Sequence, residues 1–201
     1  MFKIAITFLL LVCNTSYGST LLVLGDSLSA SYGIAEHRGW INLLHKELAP
    51  QHRIINASIS GDTSGGGLAR LPRLLKEFTP DFVLIELGAN DGLRGAPLTL
   101  IEKNISLMID LCRQHGARPL LFGMQIPANY GRRYSDGFAA LYNSIAEHSA
   151  VPLMKFKFND LASLKGMLQS DGLHPTIAAQ PIIKNRVKLF LEPILTGDGD
   201  I

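Results

Sequence analysis

The residues best equipped for chemistry in this chain are a serine near one end and a histidine near the other. Ser27 sits in Gly25-Asp26-Ser27-Leu28-Ser29, directly after a short apolar run. A serine hydroxyl is a weak nucleophile at neutral pH and depends on a neighbouring base. Six histidines are available. His37, His45, His52, His115 and His148 lie in or beside segments of helical period, where a solvated surface imidazole is the plain reading. His174 differs, because Asp171 precedes it by three residues in the turn Asp171-Gly172-Leu173-His174-Pro175. A carboxylate so placed accepts the Nδ1 proton, leaves Nε2 free to take the serine proton and stabilises the imidazolium that forms. A metal reading of this pair lacks a third ligand at suitable spacing, so no metal site is expected.

Acyl transfer also requires donors for the oxyanion. The Ser27 amide is one candidate, because the strand-to-helix turn expected there would set it in the positive field of a helix N-terminus. Gly61, in Asn56-Ala57-Ser58-Ile59-Ser60-Gly61-Asp62-Thr63, lets a backbone N–H approach a ligand closely. The amide side chain of Asn90, in Gly88-Ala89-Asn90-Asp91-Gly92, donates without becoming charged. Each has a plainer role: Asp26, Ser27 and Ser29 cap a helix, Gly61 serves a turn, Asn90 forms an Asx-turn. Beside Asn90, Gly92 and Leu93 are candidates for a lid over an acyl chain. Ile126 and Pro127 are candidates for the facing wall.

These residues need elements to bring them together. Short apolar runs at 21–24, 54–56, 82–86, 119–123 and 151–156 read as strands, alternating with longer segments of helical period. Trp40, Ile41, Leu43, Leu44 and Leu48 form one apolar stripe. Leu68, Leu71, Leu74, Leu75 and Phe78 form another, which Pro72 is expected to kink or restart. Further helices are expected over 98–115, 138–149 and 178–191, the last with Pro181 in its first turn. Such alternation predicts a parallel sheet covered on both faces, with ligands beyond the carboxyl ends of its strands. Ser27, Gly61 and Asn90 all follow expected strands.

Composition narrows the rest. A hydrophobic fraction of 47% and a formal charge of only +2 fit a globular chain and give nucleic acid no basic surface. Lys3, an apolar stretch over 4–12 and then small or polar residues to Gly18 read as a signal peptide cleaved after Gly18; residues 19–201 form one domain. The stretch is far short of the roughly 20 residues that span a bilayer. Export to a periplasm follows, with lipoprotein processing at Cys13 the alternative. Cys112 remains unpaired and falls on an apolar helical stripe, which predicts a core residue rather than a nucleophile.

Taken together, LGDSLSA (24–30), NASISGDTS (56–64), GLARLP (67–72), ELGAND (86–91), PANYGRRY (127–134) and DGLHP (171–175) resemble the SGNH hydrolases, the GDSL esterase family. The resemblance covers about 20–191. It weakens over 158–169 and departs from the family pattern at 30–34. It implies a three-layer α/β/α sandwich with a five-stranded parallel sheet, flavodoxin-like. It implies Ser27 as nucleophile, His174 with Asp171 as base and orienting acid, and the Ser27 amide, Gly61 and Asn90 as oxyanion donors. The implied activity is cleavage of acyl esters and thioesters of the arylesterase, acyl-CoA thioesterase and lysophospholipase kind, without metal or cofactor. A monomer acting on small-molecule substrates, with transient contact to lipid surfaces, is the expectation. A carbohydrate acetylesterase of the same family is one alternative. A non-catalytic module binding a phosphorylated ligand at Ser64-Gly65-Gly66-Gly67 is the other.

Overall fold

The computed structural model describes residues 18–197. The expected signal peptide and Cys13 therefore lie outside the described residues, apart from Gly18. Five strands, β1 (Ser19–Gly25), β2 (His52–Asn56), β3 (Phe82–Glu86), β4 (Arg118–Gly123) and β5 (Leu153–Lys155), form one parallel sheet in the order β2-β1-β3-β4-β5. Leu21, Leu22, Val23 and Leu24 of β1, with Val83, Leu84 and Ile85 of β3, are fully buried. That is why the central strands read as continuous apolar runs: both of their faces are covered. On the edge strand β2 only Ile54 is buried.

The order reverses at β1, and right-handed crossovers then dictate the layers. The connection from β1 to β2 runs one way and places α1 (Trp40–Leu48) on one face, where it packs on α7 (Gln180–Thr196). All later connections run the other way, placing α2 (Ser64–Phe78), α4 (Leu98–Gln114) and α5 (Arg132–Ser149) side by side on the opposite face. The result is the expected three-layer α/β/α sandwich. Cys112 is buried in α4, and burial pushes its thiol up to about 12.

The structure departs from expectation at four places. Residues 27–33 form turns rather than a helix: one helical turn closes from the Ala30 N–H to the Asp26 carbonyl, and Ser31 then takes φ 60°. The left-handed residue ends the helical path, so no macrodipole stands behind the Ser27 amide. Pro72 does not restart its helix; α2 runs through it, fastened to the core by Leu71, Leu74 and Leu75. Helix α5 starts six residues earlier than the apolar pattern, since its first turn is polar. Two short helices, α3 (Ala89–Leu93) and α6 (Phe158–Ala162), fall in segments where no helix is expected, being too short to carry a helical period. Among the described residues no helix is long and apolar enough to cross a membrane.

Candidate active site

The switch point of the sheet lies between β1 and β3, and sheets of this kind bind ligands there, beyond the carboxyl ends of the strands. Ser27 follows β1, Gly61 follows β2 and Asn90 follows β3. The loop before α7 supplies the rest. His174 Nε2 lies 2.9 Å from Ser27 Oγ, and His174 Nδ1 lies 2.7 Å from Asp171 Oδ2. With a carboxylate on one nitrogen, Nδ1 carries the proton and donates it, so the Ser27 hydroxyl donates to a bare Nε2.

Residues 171–174 fold this way for a local reason. Asp171 Oδ1 accepts the N–H groups of Leu173 and His174, both at 2.9 Å, an Asx-turn that Gly172 makes possible by taking φ 66°. Those two backbone donors, with the imidazole, hold the Asp171 carboxyl down at about 2. Among the described residues no other histidine is hydrogen-bonded to Ser27. His37, His115 and His148 are exposed as expected, whereas His45 and His52 are half-buried, His52 bonding the Ser19 hydroxyl at 2.7 Å.

The candidate oxyanion donors present a mixed picture. The N–H groups of Ser27 and Gly61 have no hydrogen-bond partner among the described residues, and Gly61 has φ 79°. The Asn90 amide is already committed. Its Nδ2 donates to Asp26 Oδ2 at 3.0 Å and to the Asp62 carbonyl at 2.9 Å. An oxyanion would have to draw one of these hydrogens away. Asn90→Ala is therefore expected to lower kcat about 100-fold with little change in KM, the lower end of what one such donor contributes. Steady-state kinetics check this, and a loss under threefold would remove Asn90 from the oxyanion site.

Beneath Ser27 lies a pair of buried acids that the sequence reading missed. Asp26 and Glu86 are 2% and 0% exposed. Glu86 pairs with Gly25 across the β1–β3 register, and a Cβ at Gly25 would come within 2.4 Å of Glu86 Oε2. Glu86 Oε2 accepts the Asp26 N–H at 3.1 Å, while Asp26 Oδ1 accepts the Leu28 N–H at 3.1 Å. Burial pushes the Asp26 carboxyl up to about 6; burial, then the adjacent Asp26, raises Glu86 well above the carboxylate range. The signal available was a charged residue ending the apolar run Phe82-Val83-Leu84-Ile85.

A folded pair that keeps protons the unfolded chain has released loses stability as pH rises. Between pH 4 and 8 this loss is expected to amount to about 1–3 kcal/mol. Glu86→Gln, a neutral group of the same shape, should shrink it. Urea unfolding at both pH values measures the effect, and an undiminished loss in the variant would acquit the pair.

Arg70, from α2, fastens the neighbouring loops. It donates to Asp62 Oδ2 at 2.8 Å, to the Ala57 carbonyl and to the Gly25 carbonyl at 3.4 Å. The four candidate substrate-binding residues are placed together but deeper than expected. Gly92 and Ile126 are buried against each other and Phe138: a Cβ on Gly92 would lie 2.7 Å from Phe138 Cε2 and 3.0 Å from Ile126 Cγ2. Gly92 is thus a packing glycine inside α3, not a flexible one. Leu93 and Pro127 are half-buried. The Gly-rich run 64–67 has a packing role too, since a Cβ on Gly67 would meet Leu87 Cδ1 at 2.1 Å. The N-terminus of α2 is already served: Asp91 accepts the Ser64 N–H at 2.7 Å and Thr63 Oγ1 accepts the Gly66 N–H at 3.1 Å. A resident carboxylate at that helix end repels a phosphorylated ligand, which argues against the binding-module alternative.

A parallel α/β/α sheet that carries a hydroxyl, an imidazole and a carboxylate together at its carboxyl edge belongs to a recognisable class of hydrolases. The chain belongs to the GDSL-like Lipase/Acylhydrolase family, whose profile matches residues 23–180. It is 45% identical over 190 residues to Esterase TesA of Pseudomonas aeruginosa, covering 93% of this chain and 94% of that one. It is 41% identical over 202 residues to the Thioesterase 1/protease 1/lysophospholipase L1 of Escherichia coli, covering 99% and 97%. Among solved structures, the psychrotrophic esterase EstA from Pseudoalteromonas sp., inhibited by monoethylphosphonate, superposes with a TM-score of 0.85 at 41% identity, over 89% of this chain and 99% of that one.

Proposed function

We propose that this protein hydrolyses acyl esters and thioesters of small molecules by two-step acyl transfer through Ser27. The carrying observation is the continuous hydrogen-bonded relay from Asp171 through His174 to Ser27, with distances of 2.7 and 2.9 Å. As Ser27 Oγ attacks the acyl carbonyl carbon, its proton passes to His174 Nε2 and the carbonyl π pair moves onto oxygen. The Ser27 and Gly61 N–H groups, with Asn90, receive that oxyanion. Collapse expels the alkoxide or thiolate, which takes the proton from His174. Water, deprotonated in turn by His174, then releases the acid and restores Ser27. The relatives' names, an esterase and a thioesterase with lysophospholipase activity, support both ester and thioester substrates.

All the contributing side chains come from one polypeptide, which supports action as a monomer with at most passing contact to lipid surfaces. Export is part of the proposal: cleavage after Gly18 leaves Ser19, the first residue of β1, as the new N-terminus. The test combines a fluorophosphonate probe with a panel of p-nitrophenyl esters and acyl-CoA thioesters of graded length. Labelling that disappears in Ser27→Ala, with turnover of both ester classes, is the expected result. Absence of labelling in folded wild-type protein would overturn the proposal.

A further inference from the structure

Two stretches far apart in the chain, 30–34 and 158–169, meet beside His174 through Tyr32 and Gln169. The Tyr32 ring lies against the imidazole, with centroids 4.3 Å apart and planes tilted by 35°. Tyr32 is 50% exposed, so core packing does not account for its position. Its backbone is bent into place by left-handed residues on both sides, Ser31 at φ 60° and Gly33 at φ 73°. A serine in that conformation carries strain that the surroundings must offset.

Gln169 provides the restraint. Its Nε2 donates to the Tyr32 carbonyl at 2.9 Å and to the Pro175 carbonyl at 3.0 Å. Its backbone N–H donates to the His174 carbonyl at 2.8 Å, and its carbonyl accepts the Gly172 N–H at 3.0 Å. The contact with the other loop is close, since a Cβ on Gly33 would lie 2.4 Å from Gln169 Oε1. One residue thus ties the Tyr32 turn to both flanks of the histidine.

We propose that Tyr32, clamped by Gln169, is a positioning residue for His174: its ring covers one face of the imidazole, fixes the ring plane and favours the imidazolium. The inference rests on the reading of His174 as the base for Ser27. Asp171 holds Nδ1 and Ser27 meets Nε2, but two bonds at the ring's two nitrogens leave the plane free to rock about the line that joins them. Tyr32 removes that freedom. When Ser27 gives up its proton, the cation forms within about 6 Å of a π face, where the ring quadrupole attracts it. The charged groups that bear on the imidazole are Asp171, on its own loop, and Asp26, after β1. Tyr32 adds to these without adding charge.

The test is Tyr32→Leu beside Tyr32→Phe in the full chain, with p-nitrophenyl acetate as substrate and melting curves as the control for folding. Tyr32→Leu is expected to lower kcat about two- to fivefold with KM little changed, the size of an exposed cation–π contact. It should also move the acid limb of kcat to lower pH by about half a unit, because the imidazolium is no longer favoured. Tyr32→Phe, which keeps the face, should match wild type in both. Gln169→Ala, which leaves the ring intact but releases its loop, should move both readouts the same way as Tyr32→Leu. Wild-type kcat and an unmoved acid limb in Tyr32→Leu would overturn the proposal. So would a Tyr32→Phe variant as impaired as the leucine one, which would implicate the hydroxyl instead. Fluorophosphonate labelling separates the two levels: if Ser27 in wild type is labelled, such failures concern Tyr32 alone, whereas an unlabelled wild type removes the hydrolase reading beneath it.

Discussion

Ser27→Ala is expected to lower kcat for a p-nitrophenyl ester by about 10⁴- to 10⁶-fold while leaving the melting temperature within a few degrees of wild type. The two halves of this expectation have separate causes. Removing Oγ deletes the atom that would bond to the acyl carbon, and among the described residues no other hydroxyl is hydrogen-bonded to His174 Nε2. The fold loses little, because among the described residues the only side-chain bond of Ser27 is the one to the imidazole. The turn is held by Asp26 and Glu86 instead. His174→Ala should be comparably damaging. The double variant should be no worse than either single one, since nucleophile and base act as a unit. Residual turnover would then measure what the Ser27 and Gly61 amides and Asn90 contribute alone. Turnover within tenfold of wild type in Ser27→Ala, after exclusion of contaminating esterase, would place the nucleophile elsewhere.

How much of this was legible in the residues depends on the range of the interactions involved. Leu21 to Leu24 and Val83 to Ile85 announce buried parallel strands because burial on both faces requires an unbroken apolar run. Asp171 and His174 announce each other because the Asx-turn joining them is local. What stays hidden is set by register. Nothing in Gly25-Asp26-Ser27 says that Glu86 lies beside it. That follows only once β1 and β3 align with Gly25 opposite Glu86, a glycine leaving the space a carboxyl fills. The same holds for Tyr32 and Gln169, 137 residues apart. The helix expected after Ser27 stops at Ser31, whose left-handed conformation stands beside a long-range tie that local propensities do not weigh, the Gln169 bond to the Tyr32 carbonyl. Gly92 misled in a different way. Its missing side chain serves close packing with Phe138 and Ile126, and such a glycine looks identical in sequence to a flexible one.

Asp171→Asn tests the relay at its far end and should lower kcat about 10³- to 10⁴-fold with the fold intact. The geometry dictates how the asparagine sits. Two backbone N–H groups, of Leu173 and His174, require an acceptor at the Oδ1 position, so the amide carbonyl takes that place and the NH₂ group faces His174 Nδ1. A donor there forces Nδ1 to accept and moves the imidazole proton to Nε2. That nitrogen then meets the Ser27 hydroxyl with a hydrogen instead of a lone pair. Asp171→Ala should cost more stability, since it also deletes the turn's acceptor. The pH profile distinguishes this account from simple loss of charge. The carboxyl of Asp171 sits near 2, below its ordinary 3.8, so its contribution is present above that ordinary value and is lost only as pH falls through about 2. No acid limb of the wild-type rate near neutrality can therefore come from Asp171. A wild-type rate that keeps its full Asp171 contribution down to about pH 4 fits the relay. An Asp171→Asn rate within tenfold of wild type at every pH would show that this carboxylate does not set the tautomer.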